Sequence, residues 1–246
     1  MGLTEINIRE KDFHNKLQSK EKGRFENIFY KAIFNANRDF FEYLKNNAKD
    51  SKILDYGCGI GTFVEKIAKF APKKIFGIDI SEVSIEKAKK NAMELKLEAE
   101  YSVDNCENTQ FEKNSFDIVY GTGILHHLQL DKCLNEIHRI LKPEGNLVFI
   151  EPLGTNPLIN LYRKFTPKSR SKDEHPLLKK DFKNLDSKFE TNVKYYGFLT
   201  LIFLPFYGSP ANSKLFKFLA YTDQFLFKFK LFKVFAWSCL IIAKKR

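Results

Sequence analysis

The sequence is poor in residues that staple or coordinate. Its 246 residues include four cysteines, Cys58, Cys106, Cys133 and Cys239, and none form a CxxC pair. No Cys/His cluster has zinc spacing, so no metal ligand is expected. Scattered single cysteines suit a reducing compartment, and a cytoplasmic location is expected. Long apolar runs are also missing. The longest uncharged stretch, 195–213, has its apolar centre between Phe198 and Tyr207, and the run Val234 to Ala243 is equally short. A spanning helix needs about 20 apolar residues, so no transmembrane segment is expected. The first 16 residues are charged and polar, unlike a secretory signal. Ile6 stands where a myristoylation signal after Gly2 requires Ser or Thr. No internal repeat is visible.

What is present is an ordinary globular composition, 43% hydrophobic and 29% charged. This excludes wholesale disorder, collagen-like repeats and a polytopic membrane protein. Charge is lopsided: residues 1–152 sum to −1 and residues 153–246 to +12. A one-sided basic surface attracts phosphorylated substrates, acidic lipid headgroups or nucleic acid, unless it is simply a solvated lysine-rich face.

Strand and helix patterns alternate through the first two thirds. Residues 24–46 space apolar side chains as an amphipathic helix. Strands are expected at 51–56, 74–80, 98–103, 116–120 and 146–151. Helices are expected at 60–70, from Ser81 to about Leu95, and from Asp131 to Leu141, with Ser81 and Asp131 as caps. Lys142 to Gly145 reads as a turn. This alternation implies an α/β fold, a doubly wound, mostly parallel sheet with helices on both faces. After 152 the rhythm breaks. Asn156-Pro157 reads as a helix start, 166–180 as a loop, 193–204 as a strand interrupted by Gly197, 214–229 as a helix and 235–243 as a buried strand.

The first strand ends in Asp55-Tyr56-Gly57-Cys58-Gly59-Ile60-Gly61. Glycines let backbone approach a ligand, and the following helix N-terminus offers free N–H groups to an anion. Asp79 ends the second strand, where a carboxylate can accept both hydroxyls of a ribose. Asp104, followed by Asn105, ends the third, where an adenine amino group can be met. Three successive strand ends thus offer anion, ribose and base contacts.

Together, ILDYGCGIGTF (53–63), GIDIS (77–81), Asp104, FDIVYGTGILHHL (116–128) and EIHRILKPEGNLVFIEP (136–152) resemble class I S-adenosylmethionine-dependent methyltransferases of the small-molecule branch. The resemblance is strong over 50–152 and weaker beyond. It implies a Rossmann-like seven-stranded sheet with an antiparallel last strand. It also implies one methyltransferase domain over 1–246: a helical cap (1–50), a cofactor core (51–152), an acceptor-side insertion (153–190), and last strands with an amphipathic helix (191–246). The cofactor is then S-adenosylmethionine. Asp55, Gly57, Cys58, Gly59 and Gly61 would approach its methionine part, Asp79 its ribose, Ile80, Asp104 and Asn105 its adenine, and Gly121 its methionyl group. Tyr30 would close over it.

An oxygen acceptor needs its proton removed, and histidine is suited to that task. His126 and His127 follow the fourth strand, and His175 lies in the insertion; His127 and His175 are the catalytic candidates. His138, in a helix, and His14, in the N-terminal tail, are poor ones. GTGILHH lacks the Asn/Asp-Pro-Pro-aromatic pattern of methyltransferases that act on exocyclic base amines. Arg163, Lys164, Lys168, Arg170 and Lys172 could clamp an acidic group of the acceptor, or form a solvated loop. Residues 214–233 interleave Phe with Lys; such a helix can lie on an anionic membrane or pack on the sheet with its lysines outward. The expected activity is methyl transfer to a small or lipid-like acceptor, at oxygen, with nucleic acid a less suitable partner. RNA methylation and a non-catalytic cofactor-binding module at a membrane surface are the alternatives.

Overall fold

A computed structural model describes residues 3–19, 28–166 and 171–246. Gly2, Phe25, Lys168 and Arg170 lie outside them. Seven strands form one sheet: β1 (Lys52–Tyr56), β2 (Lys74–Asp79), β3 (Ala99–Val103), β4 (Phe116–Thr122), β5 (Leu141–Pro152), β6 (Phe189–Tyr196) and β7 (Ser238–Lys245). Their order is β3-β2-β1-β4-β5-β7-β6. β7 runs antiparallel to both β5 and β6, and the other pairings are parallel. This is the doubly wound, mostly parallel sheet with an antiparallel last strand that the sequence implied.

Alternate side chains of the central strands feed two apolar cores, one on each face. Ile53, Ile118, Tyr120, Val148 and Leu240 pack with α2 (Phe34–Asn47), α3 (Val64–Ala68) and α4 (Glu82–Glu94). Leu54, Val119, Leu147, Phe149 and Ile241 pack with α5 (Leu130–Ile140) and α7 (Lys179–Lys188). Phe40, Phe116, Phe149 and Phe189 are fully buried in these cores, each worth roughly 1.5–3 kcal/mol of burial.

The structure departs from the sequence reading at eight places. Residues Glu5–Ser19 form a helix, α1, not a tail. A 3-10 turn (Ile28–Ile33) precedes α2, and α3 spans five residues instead of eleven. Asp131 does not cap α5: Gln129 is the N-cap and Asp131 lies in the first turn, bonded to Asn184. Lys142–Gly145 belongs to β5, carried by a register irregularity opposite Phe116/Ile118 and by Glu144 at φ 65°. The polar loop ends in a helix, α7, where Asp181 accepts from the Leu178 N–H at 2.7 Å. The strand expected at 193–204 stops at Tyr196. Gly197 turns at φ 81° into a short helix, α8 (Leu199–Ile202), and a 3-10 turn (Leu204–Phe206). The last strand starts at Ser238, after a 3-10 turn over Phe232–Phe235. As expected, Ser81 caps α4, Asn156 caps α6 (Pro157–Phe165), and α9 (Lys214–Leu226) is a helix.

Candidate functional site

At the C-terminal edge of the sheet, the β1–α3 turn is held open by its glycines. Gly57 and Gly61 both sit at φ 72°. A Cβ on Gly57 would come within 2.5 Å of Ile124 Cγ1, and one on Gly61 within 2.7 Å of the Tyr101 hydroxyl. At Gly59 a Cβ would meet nothing within 4 Å, so its face is open. That face borders a cleft enclosing about 800 Å³ of space, part of it open to solvent.

The cavity joins predicted and unpredicted residues. Of the expected set, Gly57, Gly59, Asp79, Ile80, Asn105 and His127 line it. Asp79 Oδ2 accepts from the Gly59 N–H and Oδ1 from the Ser81 N–H, both at 2.9 Å. Each oxygen keeps a further acceptor position for a ligand hydroxyl. Burial pushes the Asp79 pKa up, and backbone N–H groups offset part of that shift.

Asp55, Cys58, Gly61, Asp104, Gly121 and His175 stand outside the cavity lining. Asp55 is buried behind the turn, where desolvation raises its pKa to about 7. Cys58 is buried, with its N–H bonded to the Ile78 carbonyl. The Asp104 carboxylate ties its own loop, accepting from the N–H groups of Asn105 (2.8 Å) and Gln110 (2.9 Å). At Gly121 a Cβ would meet the Tyr56 carbonyl at 2.7 Å, so close strand packing accounts for this glycine. His175 is exposed, and its backbone N–H donates to the His126 carbonyl at 2.8 Å. Tyr30 is exposed too, with its ring 5.7 Å from that of Trp237.

The sequence reading missed α1, which supplies Asn7, Glu10 and His14 to the cavity. Their i, i+3, i+7 spacing places them on one helix face. That face is polar, so hydrophobic periodicity could not reveal it; the polar stripe itself is the signal. Thr4 and Asn7 cap the helix reciprocally, at 3.0 and 3.2 Å. Arg9 grips Asp173 with two bonds of 2.8 and 2.9 Å, Lys11 pairs with Glu82, and the Ser81 hydroxyl donates to Asn15 at 2.6 Å. The helix is thereby strapped between α4 and the insertion.

Two buried histidine–carboxylate pairs adjoin the cavity. His126 Nδ1 lies 2.7 Å from Glu151 Oε2, while Glu151 Oε1 accepts from the Ile124 and Leu125 N–H groups at 2.9 Å. His126 therefore fixes the turn after β4. His127 Nδ1 lies 3.1 Å from Glu10 Oε2 and 3.4 Å from the Ser171 hydroxyl. Burial opposes charge on Glu10, yet contacts with His127, His14 and Ser171 outweigh it and hold the carboxyl well below the usual range. Burial lowers the His127 pKa; Glu10 opposes this, and His126 and His14 add to the lowering. These surroundings thus favour the ionised form of Glu10 and the neutral form of His127.

Spacing gave no metal constellation, but the fold assembles donors. Among the described residues, ligand atoms of Glu10, His14 and His127, and of His126, His127 and Glu174, lie within 4.8 Å of one another. These are groups of side chains that could hold a cation.

Comparison with known proteins gives the family. A family model described as a methyltransferase domain matches residues 47–193. Phosphoethanolamine N-methyltransferase 3 of Arabidopsis thaliana is 28% identical over 147 residues, 56% of this chain and 30% of that protein. Ubiquinone biosynthesis O-methyltransferase of Pelagibacter ubique is 29% identical over 163 residues, 57% of this chain and 67% of that protein. The match thus spans about three tenths of the first of these relatives. In fold, the chain is similar to geranyl diphosphate C-methyltransferase from Streptomyces coelicolor, with a TM-score of 0.66, 15% identity and both chains fully covered. With the family model on more than half of its length and this sheet order, the chain belongs to the class I S-adenosylmethionine-dependent methyltransferases.

Proposed function

We propose that the protein methylates a small, lipid-like acceptor at oxygen, with His127 as general base and Glu10 as its positioning partner. The observation that carries this reading is the buried Glu10–His127 pair in the cavity wall, 3.1 Å apart. The cavity suits the cofactor: Gly59 leaves an open face, and Asp79 keeps acceptor positions toward it. Gly57, Gly59, Asp79, Ile80 and Asn105 would hold it. When bound, S-adenosylmethionine supplies a methyl group activated by the sulfonium charge. The chain's own task is alignment and proton removal. The neutral imidazole would carry its proton on Nδ1, 3.1 Å from Glu10 Oε2 and 3.4 Å from the Ser171 hydroxyl, leaving Nε2 basic. Nε2 takes the acceptor hydroxyl proton, the O–H electron pair stays on oxygen, and Glu10 stabilises the resulting imidazolium. The P. ubique relative is named for O-methylation and the A. thaliana relative for N-methylation; the base suits oxygen, because a hydroxyl becomes a strong nucleophile only as its proton leaves. The test is transfer of labelled methyl groups into an extract of the source cells, with the product identified by mass spectrometry. An O-methyl product in the organic-soluble fraction is expected. An N-methyl or C-methyl product, or label confined to RNA, refutes the assignment.

A further inference from the structure

The segment between β6 and β7 leaves apolar surface uncovered. Inside, Leu204, Tyr207, Phe216, Leu219 and Ala220 form a small buried core joining the 3-10 turn after α8 to α9. Outside, Phe218, Tyr221 and Phe225 follow one another at i, i+3 and i+7 along α9, with exposures of 66%, 77% and 52%. Phe229 and Leu231 extend the exposed apolar surface past the helix end. Lys214, Lys217, Lys228, Lys230 and Lys233 lie in the same segment, and none of them is in an ion pair among the described residues. The only acid in residues 197–237 is Asp223. It is buried, accepting from the Leu199 N–H at 2.7 Å and the Thr200 hydroxyl at 2.9 Å. The surface therefore carries aromatic side chains and positive charge with no exposed acid of its own.

From this pairing of exposed aromatics with uncompensated lysines, we infer that the 199–233 surface docks on an anionic lipid bilayer. Aromatic side chains suit the bilayer interface, and lysines are drawn to acidic headgroups. Among the described residues no helix is long and apolar enough to cross a membrane, so the attachment is peripheral. Topology gives the docking a use. Tyr196 and Pro152 both pair with Ser238, so the segment leaves the sheet at the C-terminal end of β5, the edge that carries the glycine turn, Asp79 and the His127 turn. Docking brings that edge to the lipid surface.

The test is sedimentation of the full chain with vesicles of phosphatidylcholine containing phosphatidylglycerol, against phosphatidylcholine alone. Binding to the anionic vesicles, weakened by salt, is expected. Neutralising a lysine lowers partition about fivefold, so K214Q/K217Q/K228Q lowers it about a hundredfold. F218S/Y221S/F225S also loses binding, with a melting temperature close to wild type because these side chains are exposed. No pelleting with anionic vesicles overturns the proposal, as does unchanged pelleting of both variants. A dimer in light scattering that the aromatic variant abolishes assigns the surface to a second copy instead. The assay reads no methyl transfer, so it stands or falls apart from the catalytic reading.

Discussion

Glu10→Gln isolates the charge that faces His127. Glutamine keeps the size and an oxygen that can accept from Nδ1–H, while α1 stays tied through Arg9–Asp173 and Lys11–Glu82. What is lost is the anion that stabilises the imidazolium. A hydrogen bond to a charged group contributes about 1–1.5 kcal/mol more than a neutral one, so kcat is expected to fall about 5- to 13-fold. Glu10 opposes the lowering of the His127 pKa. Without it the pKa falls further, and the acid limb of the kcat profile moves to lower pH. Affinity for S-adenosylmethionine stays close to wild type, since Gly57, Gly59 and Asp79 are untouched. The assay is steady-state methyl transfer across pH 5–9 with separate cofactor titration. An unchanged kcat with an unmoved acid limb refutes the Glu10–His127 relay.

Three further outcomes follow from the geometry. Asp79→Ala lowers S-adenosylmethionine affinity at least tenfold by calorimetry; unchanged affinity removes Asp79 from the site. Gly61→Ala forces a side chain to φ 72° against the Tyr101 hydroxyl, costing about 1–2 kcal/mol or more, seen as a melting temperature lowered by several degrees; an unchanged one contradicts the packing. Asp55 has its folded pKa raised to about 7 against an ordinary 3.8. Its contribution is full below about pH 4 and lost as pH rises through 7, at most about 4 kcal/mol. Asp55→Asn is therefore expected to raise the melting temperature more at pH 8 than at pH 5; the reverse order contradicts the assignment.

The sheet was readable because its strands announce themselves locally. Ile53–Tyr56 and Phe116–Tyr120 are short apolar runs bounded by turn residues, and Asp79 marks a strand end by its place in the pattern. The roof of the site was not readable in this way. α1 turns Asn7, Glu10 and His14 inward, an arrangement that apolar periodicity does not report. The partners of His127 lie far off in sequence: Glu10 precedes it by 117 residues and Ser171 follows it by 44. Asp104, singled out by its position at a strand end, also braces its own loop, accepting from the N–H groups of Asn105 and Gln110, a role that the strand-end position does not report. The strand expected at 193–204 failed because Gly197 adopts φ 81° and Asp223 caps the next turn, neither of which local pattern encodes.

The central claim is tested most directly by methyl transfer from His127→Ala at saturating S-adenosylmethionine, with cofactor affinity measured on the same preparation. The account predicts affinity within about twofold of wild type and transfer lowered by about 10²–10⁴, the usual contribution of a general base. Wild-type transfer by this variant would contradict it.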